Sequence, residues 1–395
     1  MRILYSILIY IFKIALKIYS IFNKKAKQIN LGQKNLLKKI LTETKNKSNI
    51  VWFHAASLGE FEQAKYLIVS YKEKNPNHKI LLTFFSPSGY NFMKNSDIAD
   101  WVFYMPYDTL KNAKVFVENI NIIKAIFIKS EFWFNYLQHL HINKVPIYFI
   151  SCKFRKEQYF FKFYGSWFAK QLKKITTIFV QDNESSALLK SININTIISG
   201  DSRFDTVIQS SKKEFNNPIV EAFVKNKKVI LLGSVYKKDL RLINKNKFFK
   251  DFKIIIVPHE LSQINFFKSL TNSILLSKAS TKNISNYHVL IINKIGILSR
   301  LYRYADINYV GGGFNNGIHN ILEPAVYNKP VLFGPNFRKF TEAHELIDNN
   351  LALSVKDANE FISAIKYFEY KDITQTSKKY FMSKKGASKI IVNKI

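Results

Sequence analysis

The chain has 395 residues, 47% of them hydrophobic and 15% aromatic, which excludes a disordered polymer and leaves enough apolar material for two domains. Lys and Arg number 60 against 28 Asp and Glu, a formal charge of +32, so the partner should be anionic: a phosphorylated substrate, an acidic membrane surface or nucleic acid. The lysines are spread along the chain with no nucleic-acid-binding signature, and a general bias toward Lys, Asn, Ile and Phe is an equally good source of the charge.

Ile3–Phe22 is an apolar run of about the 20 residues needed to cross a bilayer core. Lys13 and Lys17 interrupt it, four apart and therefore on one helix face. A tilted span, a helix lying in the headgroups and a buried helix packed on the main body all fit. No small-residue cleavage site follows, which disfavours a secretory leader. The lysines of residues 23–27 suit an anionic cytoplasmic leaflet.

From Asn49 the pattern is α/β. Short apolar strands are predicted at Ile50–Phe53, Lys79–Phe84, Trp101–Tyr104, Ala125–Ile128, Val145–Ile150 and Thr177–Val180, with a helix at Phe61–Lys74 after the first. Most strands lead into helical stretches, so the sheet should be parallel. Cys152 is the single cysteine, which excludes an internal disulfide and a cysteine zinc cluster and fits a reducing compartment. The eight histidines show no metal-ligand spacing.

A short hinge is expected near Asp205–Asn216, followed by a second α/β series. Its strands are Lys228–Leu232, Phe252–Val257, Val289–Ile292, Ile307–Val310 and Val331–Phe333. Helices are predicted at Ser299–Tyr304, Thr341–Asn349 and Ala358–Phe368, with one terminal helix over Ser377–Ile395. The domains are therefore 1–22 as a membrane-anchor helix, 23–205, 206–372, and a C-terminal helix 373–395 packing back toward the first domain.

Ligands of parallel sheets sit beyond the carboxyl ends of the strands. Glu60 lies there, where a general base could reach an acceptor hydroxyl. Ser57-x-x-Glu60 is also the spacing of a self-satisfied capping box. Glu131 follows an apolar strand, where burial would raise its pKa or a cation would hold it; an ordinary loop carboxylate is the alternative. His54 reads as a packed, hydrogen-bonded histidine. In the second half, Ser234, Pro258 and His259 also follow strands. Gly311, Gly312 and Gly313 lead to a helix that Asn320 would cap, with Glu323 in its first turn and its end at Tyr327. Glycines there allow backbone N–H groups to approach a phosphate, and Glu323 could accept ribose hydroxyls. The same spacing equally suits a tight strand–helix turn with no ligand.

Taken together these stretches resemble the 3-deoxy-D-manno-oct-2-ulosonic acid (Kdo) transferases of lipopolysaccharide synthesis. The resemblance lies in HAASLGE at His54–Glu60, SEFW at Ser130–Trp133, the Ser199–Asp205 segment, Gly233-Ser234, Pro258-His259, Gly311–Pro324 and Phe333-Gly334-Pro335. It implies the two-domain glycosyltransferase B fold: two Rossmann-like domains facing a cleft, with an N-terminal membrane-associated helix. The implied reaction is inverting transfer from CMP-Kdo to a lipid A precursor, without metal or other cofactor, at the cytoplasmic face of the cell inner membrane. By motif position Glu60 would be the base and Glu131 would support the acceptor side. Ser234, Pro258, His259, Gly312, Gly313, Asn320 and Glu323 would hold CMP. Ser57, Gly59, Lys153 and Arg155 would meet donor carboxylate or acceptor phosphate. The chain departs from the family at Lys129, where many members have an acid, at Phe134, at Ser151-Cys152-Lys153 and at Glu260.

Overall fold

The computed structural model describes residues 1–129, 131–243, 247–270 and 272–395. They form two compact units: Met1–Thr206 with Lys384–Ile395, and Val207–Ser383.

The first unit is built on seven strands: β1 Ile50–Ala55, β2 Lys79–Phe84, β3 Trp101–Tyr104, β4 Ile122–Ile128, β5 Ile147–Cys152, β6 Thr177–Val180 and β7 Thr196–Ile198. All pairs are parallel, in the order β3-β2-β1-β4-β5-β6-β7. Both faces are covered, so β1 reads as a continuous apolar run with every residue buried. The period of two sorts its side chains. Ile50 and Trp52 join the core on one face, while Val51, Phe53 and Ala55 join the core on the other. Each such side chain fully removed from water contributes about 1.5–3 kcal/mol.

The second unit repeats the plan with β8 Lys228–Val235, β9 Phe252–Pro258, β10 Ser273–Leu275, β11 Val289–Ile291, β12 Ile307–Val310, β13 Val331–Phe333 and β14 Ala352–Ser354. Its order is β10-β11-β9-β8-β12-β13-β14, again all parallel. The three strands not predicted, β7, β10 and β14, are short strands at the sheet edges.

Several connections differ from expectation. The hinge expected near Asp205–Asn216 is instead the helix Ser202–Lys212, which runs unbroken past Thr206. The single terminal helix is two, Thr374–Lys384 and Ala387–Lys394, because Gly386 turns left-handed at φ 115°. The second packs on the Leu58–Lys74 helix, with Ile391 fully buried. Asp205 fastens it, accepting the Gly386 and Ser388 backbone N–H groups at 2.7 and 2.6 Å.

The N-terminal helix, Arg2–Tyr19, belongs to the first unit. It is not the buried helix considered above, since Ser6 is its one buried residue. Tyr5 holds it: the ring packs edge-on to Phe134 at 5.0 Å, and the hydroxyl donates to Asp108 at 2.5 Å. Asp108 is itself buried and also accepts the Asn135 and Tyr136 N–H groups at the start of helix Phe134–Ile142. Burial pushes its carboxyl up to about 7. Ile3, Ile7, Ile11, Ile14, Ile18, Ile21 and Phe22 all stay exposed. Among the described residues, no helix is long and apolar enough to cross a membrane.

Candidate active site

In each sheet, chain order reverses between two neighbouring central strands, the place where open parallel sheets bind ligands. In the first unit these are β1 and β4, paired through Phe53–Ile126 and His54–Phe127. The chain leaving β1 carries Ser57, Gly59 and Glu60, and the chain leaving β4 carries Lys129 and Glu131. Ser130 lies outside the described residues.

The Leu58–Lys74 helix begins three residues earlier than predicted, so Glu60 sits in its first turn. Half of the capping box forms. The Glu60 carboxylate accepts the N–H of the N-cap residue Ser57, and that of Ala56 at 2.6 Å, but the Ser57 side chain caps nothing. Burial raises the Glu60 pKa against the opposing pull of Lys129 and of the Ala56 and Ser57 N–H groups. Glu131 is pushed up to about 7, first by burial and then by the charge of Glu60; Trp133 and Lys129 act the other way. The two carboxylates and Lys129 thus form one electrostatic group. Lys129 was noted in the sequence only as a departure, and its charge acts on both acids.

Backbone strain gathers at these strand ends. Lys129, Ser151 and Ser234 all have φ between 53° and 62°, a conformation that costs a non-glycine residue about 1–2 kcal/mol. Lys129 directly follows β4, while Ser151 and Ser234 are the penultimate residues of β5 and β8. His54, just before the turn, is buried; its Nδ1 meets Thr83 Oγ1 at 2.9 Å, and its pKa falls to about 3 through burial. It is a packed, neutral histidine. Lys153 pairs with Asp182 at 3.5 Å, and Arg155 is exposed on the same loop.

In the second unit the reversal falls between β8 and β12. Ser234 is the penultimate residue of β8, inside the strand and not after it as predicted, and Gly311–Gly313 follow β12. The glycines let the chain pack closely on itself. A Cβ on Gly311 would lie 2.4 Å from the Ser234 carbonyl oxygen, and one on Gly313 would lie 2.6 Å from Gly334 Cα. The Gly311 N–H donates to Gly233 at 2.9 Å, and the Gly312 N–H is held by Asp239. Gly311 and Gly313 let the chain pack against itself, while Gly312 turns left-handed at φ 93°. The helix after them is one turn, Leu322–Ala325, and stops before Tyr327. Asn320 Oδ1 accepts the Leu322 N–H at 3.2 Å, and Asn320 Nδ2 donates to Glu323 at 3.1 Å.

Pro258 ends β9, and His259 next to it stacks on His319 at 4.2 Å with 16° between the rings. Tyr236 stacks on the same pair, 4.8 Å from His259. Burial, then the neighbouring His259, lowers His319 to about 4. His319 lies inside the G-x-H-N stretch quoted above, but only the fold shows that it and Tyr236 share a rim with His259. Among the described residues no three His, Cys, Asp or Glu side chains are grouped as metal ligands.

Residues 31–206 match the family described as 3-Deoxy-D-manno-octulosonic-acid transferase (kdotransferase). The matched segment is similar to the Kdo transferases. Its end at residue 206 coincides with the break between the two units, and it contains both Glu60 and Glu131. The likeness to Kdo transferases extends further. The 3-deoxy-D-manno-octulosonic acid transferase of Aquifex aeolicus is 27% identical over 332 residues, 81% of this chain and 86% of that one. The Rickettsia prowazekii protein of the same description is 25% identical over 356 residues, 84% and 74% of the two chains. Among solved structures, a UDP-GlcNAc 2-epimerase from Neisseria meningitidis matches with a TM-score of 0.57 at 16% identity, over 87% of this chain and 98% of its own. That likeness is one of fold.

Proposed function

We propose that this chain is an inverting glycosyltransferase that moves Kdo from CMP-Kdo to a hydroxyl of a lipid A precursor, without a metal, at the cytoplasmic face of the cell inner membrane. The observation that carries the reading is the Glu60–Glu131 pair at the strand reversal of the very sheet that matches the Kdo transferases.

The chemistry asks little of the protein. Loss of CMP from a tertiary anomeric carbon develops positive charge on the sugar and negative charge on the leaving phosphate. The acceptor oxygen attacks as its proton leaves, so one positioned base and donors for the phosphate suffice. Glu60 is the base: desolvation raises its proton affinity, and two N–H groups fix its direction. Glu131, titrating near neutral pH, hydrogen-bonds the acceptor sugar, and Lys129 keeps Glu60 ionised. Ser57 and Gly59 shape the turn, while Lys153 and Arg155 meet anionic substrate groups. Ser234, Pro258, His259, Asn320 and Glu323 contact CMP, with Gly312 and Gly313 allowing the tight chain packing behind them. The exposed apolar side of Arg2–Tyr19, with Arg2, Lys13 and Lys17, lies in the headgroup layer of an anionic leaflet.

The test is transfer itself. Purified protein with enzymatically generated CMP-Kdo and a tetra-acylated lipid A precursor should give a product heavier by one or more Kdo units. Glu60→Gln should lower the rate by about 10²–10⁴-fold while CMP still raises the thermal midpoint. Near-normal turnover by the variant sinks the base assignment. Stabilisation by a UDP-sugar but not by CMP sinks the donor.

A further inference from the structure

A groove of about 380 Å³ lies in the first unit. Its walls are the two 3₁₀ turns Tyr159–Phe161 and Phe163–Gly165 and the helix Ser166–Leu172. Phe160, Phe161, Phe163 and Ile192 line it, and Lys162, Lys170 and Lys173 stand on its rim with no acid among the lining residues. None of these three lysines makes an ion pair among the described residues. Phe163 is 97% exposed, a poor use of an aromatic ring in water. The groove is built tightly: a Cβ on Gly165 would sit 1.8 Å from the Tyr159 carbonyl oxygen, so glycine is needed to fold the two turns together.

The inner wall approaches Glu131. Phe160 packs on Phe132, the residue after Glu131, with centroids 4.6 Å apart. The Tyr159 hydroxyl is pushed up to about 12 by burial and then by the charge of Glu131. On another side the helix meets the N-terminal segment: Trp167 packs on Phe134 at 5.1 Å and on Tyr5 at 6.3 Å. An apolar slot with three unpaired cations therefore lies between Glu131 and the exposed apolar helix.

We infer that this groove binds the lipid acceptor, taking one acyl chain among Phe160, Phe161, Phe163 and Ile192 and a phosphate of its headgroup against Lys162, Lys170 and Lys173. The inference rests on the acceptor reading above for the identity of the lipid. The chemistry it requires, an acyl chain beside a phosphate, comes from the groove itself. A volume of this size is within the range of small-molecule sites, and the rim is complementary to the phosphate.

Binding can be read without turnover. Cys152 is buried, so a Phe163→Cys variant takes an environment-sensitive fluorophore at residue 163 alone. Titration with the tetra-acylated lipid A precursor should give a saturable blue shift. Lys170→Ala with Lys173→Ala should weaken it roughly thirtyfold, at about fivefold per lysine near an anionic surface, with the ligand-free thermal midpoint as folding control. The deacylated phosphorylated disaccharide and inorganic phosphate should give no shift. No shift with the acylated precursor, or one unchanged by the lysine pair, overturns the proposal. An equal response to vesicles of equimolar phosphatidylcholine and phosphatidylglycerol also overturns it, in favour of a general membrane contact. No step uses CMP-Kdo, so a blue shift without transfer would count against the transferase reading and leave the lipid site standing.

Discussion

Glu131 titrates at about 7, so near neutral pH the Glu60–Glu131 pair holds fewer than two full charges and protonates as a unit. Lys129 is the cation that pulls both values down. Its removal should raise both, leaving less ionised base at any given pH. Asn tolerates the left-handed backbone that Lys129 adopts at φ 62°, so Lys129→Asn removes the charge with little added strain. The acid limb of the pH profile of kcat/KM should then move to higher pH. A limb that stays in place shows that the ammonium does not tune the base. The capping-box spacing did announce a helix start at Ser57–Glu60, but spacing alone could not say whether Glu60 was used up there. The structure answers in part, since Glu60 accepts backbone N–H groups while remaining partly desolvated beside a second acid.

At the scale of elements, the eighteen-residue N-terminal helix is held by a few contacts, among them Tyr5 on Phe134 and Asp108, Phe12 on Phe85 and Lys13 over the Tyr107 ring. Its docking depends on Tyr5, whose hydroxyl meets the buried Asp108. Removing a partner from a buried acceptor costs about 1–3 kcal/mol, a large share of what holds so exposed a helix. Tyr5→Phe should speed amide hydrogen exchange across Arg2–Tyr19 and leave β1 and β4 protected. Unchanged exchange in the helix would mean that ring packing on Phe134 and Trp167 suffices. The Asp108 partner Tyr5 is 103 residues away, beyond the reach of any local pattern. The glycine loop carries the same lesson. Three consecutive glycines announce close approach, and only the fold shows that β8 and the Gly334 turn make it.

For the molecule as a whole, the +32 charge and the exposed apolar helix should separate experimentally. Attraction of scattered lysines to an anionic leaflet is screened as the Debye length drops from about 10 Å at 0.1 M salt to about 3 Å at 1 M. Burial of apolar side chains is not. Co-sedimentation with anionic vesicles should therefore fall with salt to a resistant remainder. Deleting residues 1–22 should abolish that remainder while CMP still stabilises the protein. If the truncated chain keeps the salt-resistant fraction, the helix is not the membrane contact.

The sequence by itself determined the class: eleven short apolar strands with helices between them, two parallel α/β halves, and carboxylates or small residues at the strand ends. These features are local, set by side-chain period and turn chemistry within a few residues. The edge strands β7, β10 and β14, the helical crossing at Thr206, and the neighbourhoods of Glu131, His319 and Asp108 were decided by tertiary structure. Edge strands borrow their hydrogen bonds from a neighbour already in place. A carboxyl's proton affinity depends on charges and burial brought to it from distant parts of the chain.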